Sequence, residues 1–105
     1  MKLEITEKQF SHAIEDLLDI CHWRWTHFRP ARTVYGWRTA LSGHPGFTDY
    51  VAVRPPRLLL LEAKSEKGRV SPAQEAWLHD LSLVETVDVH MWKPSQFEQI
   101  KEVLR

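Results

Sequence analysis

A chain of 105 residues has material for one modest core, so it reads as a single domain over residues 1–105. Its 43% hydrophobic and 27% charged residues exclude a largely disordered chain, no apolar run nears the roughly 20 residues that span a bilayer, and the lone Cys21 excludes an internal disulfide. Acidic and basic side chains, 14 of each, cancel, which at first weighs against a polyanionic partner.

Residues 6–20 read as a helix. Phe10, Ala13, Ile14, Leu17 and Leu18 recur at helical spacing, and Thr6 with Gln9 forms a capping-box pair. Residues 23–27 alternate like a short strand. Residues 28–45 hold Pro30, Gly36, Gly43 and Pro45 and read as loop or irregular hairpin. Residues 48–53 form a strand candidate, Pro55-Pro56 forces a turn, and residues 57–63 form a second strand whose four leucines suit a central position buried on both faces. The two strands make an antiparallel hairpin.

Gly68 then breaks the chain. Ser71 as N-cap and Pro72 at the first helical position start a helix to about residue 82, with Ala73, Ala76, Trp77 and Leu81 in helical register. Residues 86–92 alternate as a further strand, and residues 96–104 form a last helix after Pro94-Ser95. The expected class is α/β: a mixed central sheet flanked by helices, with a right-handed crossover between the strands on either side of the second helix.

Charge is unevenly spread along these elements. Residues 20–48 contain Arg24, Arg29, Arg32 and Arg38 and no acid, while residues 49–69 carry three acids and five bases, Lys67 and Arg69 among them. A local basic patch of this kind can engage phosphates although the whole chain is neutral; solvated loop arginines are the other explanation.

Counting outward from the Pro55-Pro56 turn, Asp49 lies about six residues back and Glu62 about six residues forward. The two carboxylates should sit level at the hairpin's open end, within reach of one ion. Lys64, two residues after Glu62, falls on the same sheet face. Hard oxygen ligands without thiolates favour Mg²⁺ or Mn²⁺. Two carboxylates and an ammonium suit phosphodiester hydrolysis, because the cations offset carboxylate repulsion and charge on the phosphate. A zinc site from Cys21, His22, His27 and His44 fits no usual ligand spacing.

The run Gly46-Phe47-Thr48-Asp49, Glu62-Ala63-Lys64, Gly68, Ser71-Pro72-Ala73-Gln74 and Trp77 resembles the VRR-NUC family, a branch of the PD-(D/E)xK nuclease superfamily. The family includes small stand-alone phage and bacterial proteins and the nuclease domains of larger repair enzymes. The resemblance covers residues 6 to about 104. It implies a restriction-endonuclease-type core, with Asp49, Glu62 and the Ala63 carbonyl as metal ligands, Lys64 as the catalytic lysine and Gln74 as a helper near the phosphate. It also implies a first-helix glutamate, for which Glu7 is the best match and Glu15 the fallback. Thr48 stands where the family often has proline, and Ala63 where leucine is common; neither change removes a ligand.

The resemblance further implies a homodimeric endonuclease of branched DNA, four-way (Holliday) junctions included. Arg24, Arg29, Arg32, Arg38, Lys67 and Arg69 are the candidate DNA contacts. Trp23, Trp25, Phe28, Tyr35 and Trp37 are interleaved with these arginines and can either stack on bases or belong to the core. The competing readings are a non-catalytic DNA-binding module on a nuclease fold and a less selective duplex-nicking enzyme. No membrane partner is expected, residues 1–7 lack the apolar stretch of a signal peptide, and the cytosol of a bacterial or phage-infected host is the expected setting.

Overall fold

The computed structural model describes residues 4–29, 31–38 and 40–105. Pro30, read above as a loop residue, and the side chain of Arg32, read as a DNA contact, lie outside what is described, as do residues 1–3.

Helix α1, Glu7–Ile20, begins as its cap residues predict. The Thr6 hydroxyl accepts from the Gln9 amide N–H at 3.1 Å, and the Gln9 side chain accepts from the Thr6 N–H at 2.9 Å. Its buried stripe is Phe10, Ser11, Ile14 and Leu18. At its end the Trp23 N–H bonds the Leu18 carbonyl and the His22 N–H bonds that of Asp19, a Schellman pair. His22 takes the left-handed position this requires, with φ 65°.

Four strands form one sheet in the order β1-β4-β5-β6: β1, Arg24–His27; β4, Tyr50–Arg54; β5, Arg57–Ala63; and β6, Asp88–Trp92. The β1–β4 and β4–β5 pairs are antiparallel, and β5–β6 is parallel. Between β1 and β4 a separate hairpin, β2 (Ala31–Thr33) and β3 (Gly36–Arg38), resolves the segment for which loop or irregular hairpin was expected. Helix α2, Pro72–Ser82, links β5 to β6, and a short 3-10 helix, Pro94–Gln96, leads into α3, Phe97–Leu104. The described residues thus form a small α/β domain with a mixed four-stranded sheet and three α-helices.

The sheet's two faces are unequally covered. On one, Tyr50 and Ala52 from β4, Leu59, Leu61 and Ala63 from β5, and Trp92 from β6 pack with Phe10, Ile14 and Leu18 of α1 and Ile100 and Leu104 of α3. Burial of this size stabilises by about 1.5–3 kcal/mol per large side chain and fixes α1 and α3. Trp23 joins this core, 4% exposed, with its indole N–H on the Leu104 carbonyl. Helix α2 lies apart from that core and buries no residue fully. The stripe expected to seat it leaves a groove: Ala73, Ala76, Trp77 and Leu81 line an apolar cleft of about 440 Å³ with His44 and Pro45.

At the turn end of the β4–β5 hairpin, two arginines tie the helices down. Arg54 donates to the carbonyls of Cys21, Leu104 and Arg105, and Arg57 to that of Val103 and to Asp88. Both guanidinium groups lie over the Trp23 ring, at 4.5 and 5.0 Å. Two of the five bases counted near the motif are therefore staples at the far end of the sheet.

Candidate functional site

The register of the hairpin pairs Tyr50 with Leu61. One step outward, Asp49 stands level with Glu62, as the count from the Pro55-Pro56 turn anticipates. The Asp49 N–H donates to Glu62 Oε2 at 3.1 Å, and the Ala63 N–H donates to Asp49 Oδ2 at 3.2 Å. Each carboxylate is thus held by the other strand's backbone. Lys64 Nζ lies 3.6 Å from Glu62 Oε1, and the Lys64 N–H bonds the Trp92 carbonyl, carrying the β5–β6 ladder past the end of β5.

The fourth member comes from α2. The Gln74 side-chain amide donates to Glu62 Oε1, while its oxygen accepts from the Ser71 N–H at 2.8 Å in the helix's capping box. Ser71 is therefore a cap, and Gln74 both caps the helix and reaches the site. The loop bearing Asp49 is pressed against the same helix start. A Cβ on Gly46 would stand 2.6 Å from the Ala73 carbonyl carbon, and Gly46 has φ +96°. The Trp77 indole N–H adds bonds to the carbonyls of His44 and Pro45.

Glu62 is 1% exposed. Burial, and then the neighbouring Asp49 charge, push its carboxyl up to about 7, with Lys64 partly offsetting this. A mutually repelling carboxylate pair, Glu62 buried and Asp49 part-exposed, made only of hard oxygen donors fits Mg²⁺ or Mn²⁺ chemically, and Mg²⁺ often takes only one or two protein carboxylates. Among the described residues no group of three or more His, Cys, Asp or Glu side chains gathers into a metal cluster. Asp49 and Glu62 would be the protein's carboxylate ligands, and the Ala63 carbonyl remains the contribution implied by resemblance.

The two first-helix acids have different settings. Both line a cleft of about 680 Å³ that also reaches Asp49. Glu15 is engaged there: its Oε2 accepts from the Tyr50 hydroxyl at 2.5 Å and meets His27 Nδ1 at 3.0 Å, and the His27 ring stacks on Tyr50 at 4.0 Å. Burial and Glu15 together raise the Tyr50 phenol well above its ordinary value. Glu7 is exposed on the rim.

The basic residues divide by location. Arg29 lines the cleft beside Asp49, and Arg38 is exposed on β3. Arg24 pairs with Val53, at the turn end of the sheet and away from Asp49. Arg32 is placed by its backbone opposite Trp37. Lys67 pairs with Glu4 at 3.3 Å, and Arg69 is exposed just beyond Gly68. Of the aromatics, Trp23 and the half-buried Trp25 belong to the core side, whereas Phe28, Tyr35 and Trp37 are exposed. Of the histidines and cysteine weighed for zinc, His22 forms the helix cap and His27 pairs with Glu15.

Two further contributors went unnoticed in the sequence. The His27–Glu15–Tyr50 cluster has only the β1–β4 pairing as its signal, and the Phe47–Trp77 edge contact, centroids 4.9 Å apart, depends on how the Gly46 loop meets α2. No family model matches the chain, and no curated protein matches it. Among the described residues no helix is long and apolar enough to cross a membrane.

Proposed function

We propose that this chain is a divalent-metal-dependent endodeoxyribonuclease on a PD-(D/E)xK-like core, hydrolysing phosphodiester bonds in branched DNA such as four-way junctions. The observation that carries the reading is the level placement of Asp49 and Glu62 with Lys64 Nζ 3.6 Å from the glutamate. When bound, Mg²⁺ or Mn²⁺ supplies Lewis acidity toward the phosphoryl oxygen and lowers the pKa of water. Asp49 and Glu62 hold the cation's position. Lys64 orients the attacking water and balances charge growing on the phosphate. Gln74 fixes the Glu62 carboxylate and stands at the phosphate side, and Glu7 is the first-helix acid left accessible. Arg29, Arg38 and Arg69 would contact flanking phosphates. A homodimer would present two such sites about a dyad, suiting paired cuts in a symmetric junction.

The test is incubation with Mg²⁺ or Mn²⁺ and a labelled four-way junction, with linear duplex and single strand of the same sequence as controls. Paired cuts on the junction, lost in folded Asp49→Asn and Lys64→Ala, are expected. Equal cutting of every substrate would mean a less selective nuclease. Junction binding without cutting in either metal would favour the non-catalytic module.

A further inference from the structure

Two hollows meet at Asp49. The larger, about 680 Å³, carries the bases Lys8 and Arg29 together with the acids Glu7, Glu15 and Asp49. The smaller, about 430 Å³, is lined by Leu41, Gly46, Phe47 and Gln74 among others. Phe28 and Asp49 are the two residues common to both linings. Either hollow is in the size range of pockets that accept small organic groups.

Phe28 is 48% exposed at this place. It is held there firmly. Its N–H donates to the Asp49 carbonyl at 2.7 Å, extending the β1–β4 ladder by one residue. Its ring meets Phe47 edge-on with centroids 6.1 Å apart, and Phe47 in turn meets Trp77. A buttressed aromatic thus stands between a charged hollow that includes Lys8 and Arg29 and a largely apolar one, beside the carboxylate pair.

Resting on the nuclease reading above, we propose that Phe28 is a wedge that stacks on an unpaired base next to the scissile phosphate, so that the site accepts a DNA strand whose base stack is broken at the cleavage point. Arg29 and Lys8 take the backbone phosphates on one side of the wedge. Phe47 and Leu41 form an apolar seat for a base on the other. A continuous duplex offers its bases stacked on one another and has no free face for the ring, whereas a strand at a branch point does. The wedge thereby gives a local reason for preferring branched over linear DNA, independent of any dimer.

The test compares wild type, Phe28→Ala and Phe28→Trp on a four-way junction and on a linear duplex of the same sequence. Thermal melting controls for folding. Loss of one base–aromatic stack predicts about a tenfold or larger fall in junction cleavage for Phe28→Ala, a much smaller fall on the linear duplex, and near wild-type behaviour for Phe28→Trp. A second readout needs no turnover. With Lys64→Ala protein and 2-aminopurine at the branch-point positions, binding should raise fluorescence, and adding Phe28→Ala should abolish the rise while leaving binding measurable. Equal loss on both DNAs, or an unchanged fluorescence rise without Phe28, overturns the wedge. Should wild type cut nothing, the nuclease reading fails, and the fluorescence measurement still decides the wedge.

Discussion

Gln74 joins the start of α2 to Glu62: its side-chain oxygen receives the Ser71 N–H and its side-chain nitrogen donates to the Glu62 carboxylate. One residue therefore couples a helix cap to the most buried charge of the site. Gln74→Ala should lose about 1 kcal/mol of stability through the cap, and on the proposed function it should also lower cleavage by the folded protein. Gln74→Glu keeps a capping oxygen but loses the donor to Glu62 and sets a third carboxylate against it, so at neutral pH it should lose more stability than Gln74→Ala and cut more slowly. Chemical denaturation and initial rates on the same preparations separate the two effects. Equal rates in all three proteins would remove Gln74 from the site.

The metal-free protein should become less stable as pH rises through neutrality. The Glu62 carboxyl is raised from 4.5 to about 7 in the fold. A carboxyl that binds its proton more tightly when folded favours folding at low pH. Its contribution is lost between its unfolded and folded pKa values, on the order of 3 kcal/mol between pH 4.5 and 7. His90, lowered by burial, works with the opposite sign below its ordinary value and cancels part of the slope. Urea denaturation in EDTA at pH 5 to 8, taken as wild type minus Glu62→Gln, isolates the glutamate. Mn²⁺ should restore stability most at the alkaline end. A difference that grows with pH in EDTA would contradict the assignment.

Gly46→Ala should be costly. The added methyl would meet backbone atoms of Ala73 and Gln74 within 2.8 Å, and the backbone is in the left-handed region. Relief requires moving the Asp49 loop away from α2. A loss of at least 1–2 kcal/mol is expected, together with a fall in cleavage beyond what unfolding explains. Stability within a few tenths of a kcal/mol of wild type would show that the loop and helix are not pressed together.

His22→Gly should act in the other direction. A left-handed cap costs a non-glycine residue about 1 kcal/mol, and His22 occupies that position with φ 65°. Replacement should gain about 0.5–1 kcal/mol, less the extra freedom of the unfolded chain. The readout is a shifted denaturation midpoint with an unchanged slope.

Glu7 and Glu15 should separate cleanly. Glu15→Gln weakens the bonds to Tyr50 and His27 and should destabilise the fold by about 1–2 kcal/mol. Glu7→Gln changes an exposed residue and should leave melting unaltered while slowing cleavage. The reverse pattern would make Glu15 the catalytic acid of the first helix.

Much of this architecture is legible in the sequence because it is local. Thr6 with Gln9 and Ser71 with Gln74 announce helix starts through contacts three residues apart, and the Pro55-Pro56 turn sets a register that brings Asp49 to Glu62. Features made by distant segments are not legible in that way. Arg54 and Arg57 lie close in sequence to the motif, yet the hairpin's length carries them to the opposite end, onto the carbonyls that close α1 and α3. The helical spacing of Ala73, Ala76, Trp77 and Leu81 marks a helix correctly but does not disclose that this face borders an open groove. Phe28 is one exposed aromatic among several until the ladder bond to Asp49 places it between two hollows.

The two ends of the sheet are anchored by different means. At one, arginine staples and a packed core hold α1 and α3; at the other, α2 rests on Gln74, Trp77 and the close approach of Gly46 without a fully buried residue of its own. An element that packs on the sheet without a fully buried residue can lift away at a fraction of the cost of global unfolding. Warming should then strip Glu62 of its partner while the molecule keeps its shape, so that heat inactivation sets in several degrees before the calorimetric transition, and reverses on cooling.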